Sequence, residues 1–337
     1  MDCNDPSEPY FVGVDVGGTN IKAGVVNDHG EPLSHISFPT EATQGAEAGI
    51  VRIFRAVEEA VGKSTISLDA VTAIGLATPG PMDIPAGKLL EPPNLPGWQG
   101  LPIRQRVADH FKKPTVLQND ANAAAYGEYW FGAGKDAHSL VFWTLGTGIG
   151  CGIIIDNVIV EGEHSHGAEC GHIIIQMDSG RHCETGQSGT LEAYASATAL
   201  ISRCRDALNA GRESLLKQNM SANEQLTPLL IAEAAEAGDK LADELIMETA
   251  RCMGIGTTTV MHTINPNIVF FGGSMTFGRN DTQLGRRFLQ RIKDEVETRT
   301  FPVLFEKTVI DYATLGGSAG YIGAAGCARL KFGRDLR

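Results

Sequence analysis

Residues 11–26 read FVGVDVGGTNIKAGVV: two apolar, β-branched runs, Phe11–Val16 and Ile21–Val26, around the segment Gly17-Gly18-Thr19-Asn20. Alternation on both sides of a short glycine-bearing gap predicts two paired strands, with glycine supplying a turn that other residues resist. Asp15 falls at the end of the first strand and Lys22 in the second. Main-chain N–H groups close on phosphate oxygens where no side chain intervenes, and a carboxylate can hold a divalent cation. Asp15, Gly17, Gly18, Thr19, Asn20 and Lys22 therefore suit a polyphosphate and its Mg²⁺. An ordinary hairpin with a glycine turn explains the same residues. A Walker A loop is excluded, because no Gly-x-x-x-x-Gly-Lys-Ser/Thr run exists. So is the dinucleotide fingerprint, because a strand rather than a helix follows the glycines.

Outward from the hairpin, Leu33–Phe38 reads as a third strand and Ala46–Val61 as an amphipathic helix with Ile50, Ile53, Phe54, Val57 and Val61 on one face. Ala70–Ala77 is a buried-type strand ending in Thr78-Pro79-Gly80-Pro81. A Pro/Gly-rich loop, 87–100, carries Asn94 and Trp98. A short helix (Ile103–Phe111) and a short strand (Thr115–Gln118) lead through Asn119-Asp120 into an Ala-rich helix, Ala121–Phe131. The order β-β-β-α-β-α-β-α makes a mixed sheet with helices on its faces, hence an α/β fold.

After Gly132–His138 the layout restarts: strand Ser139–Leu145, turn Gly146-Thr147-Gly148-Ile149-Gly150, strand Cys151–Ile155. Two hairpins of one design predict two similar lobes facing one cleft; coincidence is the rival reading. Helical stretches follow at Leu191–Ala210, Pro228–Ala237 and Lys240–Thr263. Strand Ile268–Phe271 then ends in Gly272-Gly273-Ser274. Helix Gln283–Thr298, strand Val309–Tyr312 and a closing helix Ser318–Arg329, rich in Ala and Gly and so suited to close packing, complete the chain.

The 337 residues include 28 Lys+Arg against 40 Asp+Glu, a net charge of −12, which argues against a nucleic-acid surface. No apolar run approaches the roughly 18 residues of a membrane span. The acidic start MDCNDPSEPY lacks a signal core, and seven scattered cysteines without a Cys-x-x-Cys pair fit a reducing compartment, so a cytoplasmic protein is expected.

Three glycine-rich loops follow strands: Gly17–Asn20, Gly146–Gly150 and Gly272–Ser274. Ligands of open α/β sheets gather at strand ends, so three such loops predict a nucleotide site. Gly146, Thr147 and Gly148 suit phosphates, and Gly272 and Gly273 would let a flat base lie against bare backbone. The acceptor needs a base, and Asp120, at a strand–helix junction, is the candidate. As a helix N-cap, Asp120 would be purely structural. Glu169 and His172, three apart, and Glu192 suit the vicinal hydroxyls of a sugar; a zinc site or a structural histidine uses the same types.

At this point the motifs become recognisable. Asp15-x-Gly17-Gly18-Thr19-x-x-Lys22, Thr78-Pro79-Gly80, Asn94-Leu95-Pro96-Gly97-Trp98, Asn119-Asp120-Ala121-Asn122-Ala123, Leu145–Gly150, Gly162, Glu169-Cys170-Gly171-His172 and Gly272-Gly273 occur in order along nearly the whole chain. In them the chain resembles the ROK family of sugar kinases and repressors, most of all its bacterial glucokinases. The resemblance implies an actin/hexokinase-like (ribonuclease H-like) ATPase fold of two lobes closing over a hexose and MgATP across an interlobe cleft. It implies a small lobe of residues 1–118 joined by the closing helix (318–337), a large lobe of 119–317, and a homodimer. Asp120 would take the proton of the sugar 6-hydroxyl. Gly80, Asn94, Asn119, Asp120, Glu169, His172 and Glu192 would hold the sugar.

One departure stands out. Many members carry a zinc site made of a His and Cys-x-Cys-Gly-x-x-Gly-Cys-x-Glu, and here that run is Cys183-Glu184-Thr185-Gly186-Gln187-Ser188-Gly189-Thr190-Leu191-Glu192. Only His172 and Cys183 remain of four ligands, and threonine hydroxyls replace thiolates poorly, so a loop folded without zinc is expected. Glucose is the expected acceptor. N-acetylmannosamine, N-acetylglucosamine and fructose kinases of the family share these motifs. A sugar-responsive regulator of the family would place a helix-turn-helix domain before the hairpin, where only about ten residues stand here.

Overall fold

The computed structural model describes residues 8–183, 185–217 and 225–333. Strands β1 (Tyr10–Val16), β2 (Asn20–Val26), β3 (Ile36–Pro39), β4 (Val71–Thr78) and β7 (Thr115–Asn119) form a five-stranded sheet in the order β3-β2-β1-β4-β7. The β1–β2 and β2–β3 pairs are antiparallel, while β1–β4 and β4–β7 are parallel. A small two-stranded pair, β5 (Met82–Asp83) and β6 (Lys88–Leu89), precedes β7. Alternation along β1 sends Tyr10, Val12, Val14 and Val16 into a core with Ile50, Ile53 and Val57 of α1 (Ala46–Lys63) and Ile103, Val107 and Phe111 of α2 (Ile103–Phe111).

The opposite face of that sheet carries the glycines. A Cβ on Gly13 would lie 1.7 Å from the Tyr321 carbonyl oxygen, and one on Gly75 1.8 Å from that of Ala324. The closing helix therefore lies backbone-to-backbone on β1 and β4, and only glycine permits it. The same helix meets α3 (Asp120–Trp130) at Gly127 and Gly323.

A second five-stranded sheet runs β10-β9-β8-β11-β12, from β8 (Ser139–Leu145), β9 (Ile149–Ile155), β10 (Val158–Ile159), β11 (Ile268–Gly273) and β12 (Val309–Tyr312). The remaining helices are α4 (Glu192–Ala195), α5 (Ala197–Asn209), α6 (Pro228–Glu236), α7 (Lys240–Ile264), α8 (Gln283–Arg299), α9 (Pro302–Lys307) and the closing α10 (Ala319–Phe332). The single helix expected over 191–210 is two. Ser196 leaves helical geometry (φ −76°, ψ 167°), and its hydroxyl accepts from Ala199 N–H, capping a fresh start.

Contacts divide the chain into two units. The first comprises Met1–Leu140, Gly152–Ala168 and Thr314–Arg337, and the second Val141–Cys151 and Glu169–Ala313. The boundary expected after residue 118 is thus displaced: α3 belongs with the first sheet, because its glycine face seats α10. A buried carboxylate strengthens that seat, with Glu128 accepting from Leu315 N–H at 2.6 Å and from the Thr314 hydroxyl at 3.1 Å. Residues 1–7 and 334–337 of the expected small lobe lie outside the described residues.

Candidate active site

In the first unit the sheet register lines up the expected residues. Asp15 pairs with Ala77 and Thr78 with Asn119, so Asp15, the Thr78–Gly80 loop and Asn119-Asp120 share the carboxyl ends of three parallel strands. Asp15 is the one residue of β1 left partly exposed, but its carboxyl group is packed against α10, where a Cβ on Gly320 would lie 2.3 Å from its Oδ2. It stands across the hairpin from Lys22, whose Nζ donates to the Gly317 carbonyl at 3.0 Å. Neither Gly17 nor Gly18 adopts a left-handed backbone. Their smallness serves close approach instead: a Cβ on Gly18 would lie 2.9 Å from the Asn94 carbonyl oxygen. The phosphate-type turn and the Asn94 loop are therefore neighbours. Trp98 of that loop is fully buried against Gly49 of α1 and anchors the loop from the core side.

Asn119, not Asp120, caps α3. Its Oδ1 accepts from Ala121 N–H at 2.9 Å and Asn122 N–H at 3.2 Å, while Asp120 opens the helix as its first residue. The Asn119 acceptor is thus committed to the helix, and its Nδ2 faces Gly80. Asp120 Oδ1 accepts from Ala121 N–H at 2.9 Å.

Burial, then the nearby Asp120 charge, raises the Asp15 carboxyl from 3.8 to about 7, with Lys22 pulling the other way. A buried carboxyl beside a second carboxylate offers hard oxygen donors of the kind Mg²⁺ takes. The unfolded chain ionises Asp15 from about pH 4, whereas the folded one retains the proton up to about 7. Its contribution therefore favours folding at low pH and is lost as pH rises to about 7. Asp15→Asn is neutral throughout, so its stability relative to wild type should rise between pH 5 and pH 8 by on the order of 2–3 kcal/mol. Paired thermal melts check this, and parallel pH slopes would refute it.

The second unit gathers the other loops around Ile149. Glu192 Oε2 accepts from Ile149 N–H at 2.8 Å, and a Cβ on Gly148 would lie 2.4 Å from that same oxygen. Gly171, between Glu169 and His172, abuts the Ile149 carbonyl so closely that a Cβ would lie 2.3 Å away. The 3₁₀ turn Cys170–His172, the Gly146–Gly150 turn and Glu192 therefore form one cluster. Glu192 is a brace as well as a candidate ligand, since its Oε1 accepts from the Cys183 thiol at 3.1 Å. Gly146 C=O accepts from Ala197 N–H at 2.9 Å, which backs the turn onto the start of α5. Gly273, at φ 92°, lies against Leu145, and Met275 N–H donates to the Leu145 carbonyl at 3.0 Å. The second and third glycine loops are thus adjacent.

Beside them lies a cavity of about 300 Å³, walled by Leu229, Ala232, Met275, Phe277 and Leu284, with Glu233 and Glu236 on the α6 side. That volume is at the lower end of the small-molecule range. Sequence reasoning missed the α6 wall. No sequence signal marked it: that Leu229 of this helix stays 68 % exposed is visible only in the structure.

The residues of the zinc run do not fit the metal. The Cys183 thiol is engaged by Glu192, Thr185 is exposed, and buried Thr190 Oγ1 accepts from Ala193 N–H at 3.3 Å. Among the described residues His172 Nδ1 is buried without a hydrogen-bond partner, yet no three His, Cys, Asp or Glu side chains converge there to hold a metal ion. One imidazole and one committed thiol do not make a tetrahedral site. Main-chain bonds hold the loop instead: Leu191 N–H to Ile173 at 2.8 Å, Ile175 N–H to Gly189 at 2.9 Å and Cys183 N–H to Gln187 at 2.7 Å. Glu184 lies outside the described residues. Purified protein is expected to carry far less than one zinc per chain by atomic absorption; stoichiometric zinc would overturn this reading.

Residues 11–330 match the profile described as the ROK family. A glucokinase of Halalkalibacterium halodurans is 31% identical over 94% of this chain and 94% of its own. A xylose repressor of Caldicellulosiruptor bescii is 30% identical over 93% of this chain and 76% of its own. The solved structure of a ROK family glucokinase from Streptomyces griseus, in complex with glucose and AMPPNP, is similar with a TM-score of 0.77 and 33% identity, covering 95% of this chain and 99% of that one. The α/β architecture is accordingly actin/hexokinase-like, as the family resemblance implied. Matched along almost its whole length in both sequence and fold, the chain belongs to the ROK family.

Proposed function

We propose that this protein is an ATP-dependent hexose kinase acting at the 6-hydroxyl, with glucose as the first acceptor. The observation that carries the reading is the row formed by Asp15, Lys22 and Asp120 at one end of the first sheet: an acid and a cation on a glycine turn, and a second carboxylate on the first residue of a helix that another side chain caps. Asp120 accepts the proton of the 6-hydroxyl while that oxygen attacks the γ-phosphorus and the bond to the ADP oxygen breaks. Gly80, Asn94, Asn119, Glu169, His172 and Glu192 are assigned to the sugar hydroxyls. Gly17, Gly18, Thr19, Asn20, Lys22, Gly146, Thr147 and Gly148 are assigned to the phosphates, and Gly272 and Gly273, with the cavity beside them, to adenosine. Mg²⁺, held through Asp15, would neutralise charge on the transferring phosphoryl group.

The similarity to a xylose repressor favours a second reading, a sugar-binding regulator without turnover. One coupled assay of ADP release separates the two. It tests glucose, mannose, fructose, N-acetylglucosamine and N-acetylmannosamine, with ATP and with polyphosphate as donor. Glucose-dependent ADP release supports the kinase. Sugar binding by calorimetry without ADP release from any acceptor would sink it.

A further inference from the structure

The junction that presents Asp120 is itself held by a side chain outside every set assigned above. Gln118, the penultimate residue of β7, is 2 % exposed. Its Nε2 donates to Glu161 Oε1 at 2.7 Å, and its Oε1 accepts both the Asn119 main-chain N–H at 2.8 Å and Asn122 Nδ2 at 3.2 Å. One amide thus donates to a carboxylate and accepts twice at the residue just before Asp120. Only an amide or a protonated carboxyl fills both roles with this shape.

Glu161 is fixed in its turn. Its carbonyl accepts from Gly167 N–H at 2.7 Å, and a Cβ on Gly167 would lie 2.5 Å from the Glu161 carbonyl carbon. Ser165, in the same loop, accepts from Ile84 N–H at 3.0 Å. The carboxylate that grips Gln118 is therefore mounted on a tied loop, not on a free side chain.

We propose that the Gln118–Glu161 pair is the positioning device for Asp120, setting the direction of the Asn119–Asp120 peptide and with it the aim of the base. Gln118 is a positioning residue, since it acts through Asn119. The proposal rests on the kinase reading above.

The charge state of the pair supplies the test. The titratable groups around it are Glu161 on the tied loop, Asp120 on α3, Asp15 on β1, which feels Asp120, and the Cys327 thiol on α10, which feels Glu161; the cation near Asp15 is Lys22. Gln118→Glu places two carboxyls at 2.7 Å, where they share one proton. With that proton the native bonds persist; without it the pair repels and Asn119 N–H loses its guide. The ratio of Gln118→Glu kcat to wild-type kcat should fall about tenfold between pH 6 and pH 9, with KM for ATP unmoved. The exchanged variant Gln118→Glu/Glu161→Gln, in which the carboxylate accepts from the new amide, should return a flat ratio near the wild-type level. A flat ratio for the single variant, or a persistent pH-dependent loss in the double one, would overturn the proposal.

Should Gln118→Glu not fold, Gln118→Met takes its place: a tenfold lower kcat at unchanged KM for ATP supports the proposal, and an unchanged kcat refutes it. If wild type turns over no hexose, the kinase reading fails separately. Hydrogen exchange at the Asn119 amide then decides the geometry. Faster exchange in Gln118→Glu than in the double variant at pH 9 supports the pairing, and equal rates reject it.

Discussion

Asp120→Ala is expected to lower hexose-dependent ADP release about 10³-fold or more, while ATP still binds. A positioned base contributes roughly 10²–10⁴-fold in such transfers, and here no other carboxylate shares the first turn of α3. The loss will not be one of folding. Asn119 supplies the cap, so α3 keeps its start when the Asp120 side chain is cut back. A second readout is coupled to the first. Asp120 is one of the charges that lift the Asp15 carboxyl to about 7, so its removal should lower that value and move the pH dependence of Asp15 towards acid. Turnover and the Asp15 titration, followed by carboxyl-labelled NMR, check the two halves independently. Unchanged turnover would dismiss Asp120 as the base, whatever the titration does.

Gly323→Ala is expected to be the most damaging single methyl in the first unit. Its Cβ would lie 1.6 Å from the Ala123 carbonyl oxygen and 2.9 Å from Gly127 N, so α3 and α10 would have to separate. Overpacking a dense contact costs about 1–3 kcal/mol, and a backbone-to-backbone clash belongs at or above the top of that range. A fall in melting temperature of about 6 °C or more follows. Asp120 rides on α3, so activity should drop beyond what the loss of folded protein explains. Gly62→Ala, at an exposed position near the end of α1 with nothing within 4 Å, is the control, and should stabilise by about 0.5–1 kcal/mol. Equal behaviour of the two variants would refute the packing argument.

Much of the fold was legible because local pattern carried it. The hairpin, α1 and α2, β7, β8 and β12 follow directly from period-two or helical spacing and lie within a residue or two of where that spacing puts them. The glycines were legible as a signal but not as a mechanism. Gly17, Gly18, Gly146 and Gly148 were read as turn-makers whose bare backbone suits phosphates; none has a left-handed backbone, and at Gly18 and Gly148 the missing side chain also permits close approach to Asn94 and Glu192. Closeness to a residue dozens of positions away leaves no trace in a local window. The α6 wall of the cavity and the Gln118–Glu161 pair, 43 residues apart in sequence, were invisible for the same reason.

By itself the sequence determined the α/β class and the three glycine loops that follow strands, because residue type and short-range period settle those. Tertiary structure alone decided which of two adjacent acceptors, Asn119 or Asp120, caps α3. Both can satisfy the same orphan N–H groups, and the choice depends on where β7 ends, which its pairing with β4 at Thr78 sets. It also decided that α3 belongs with the first sheet, since only the seating of α10 on Gly127 and Gly13 shows where helix and sheet share a backbone contact.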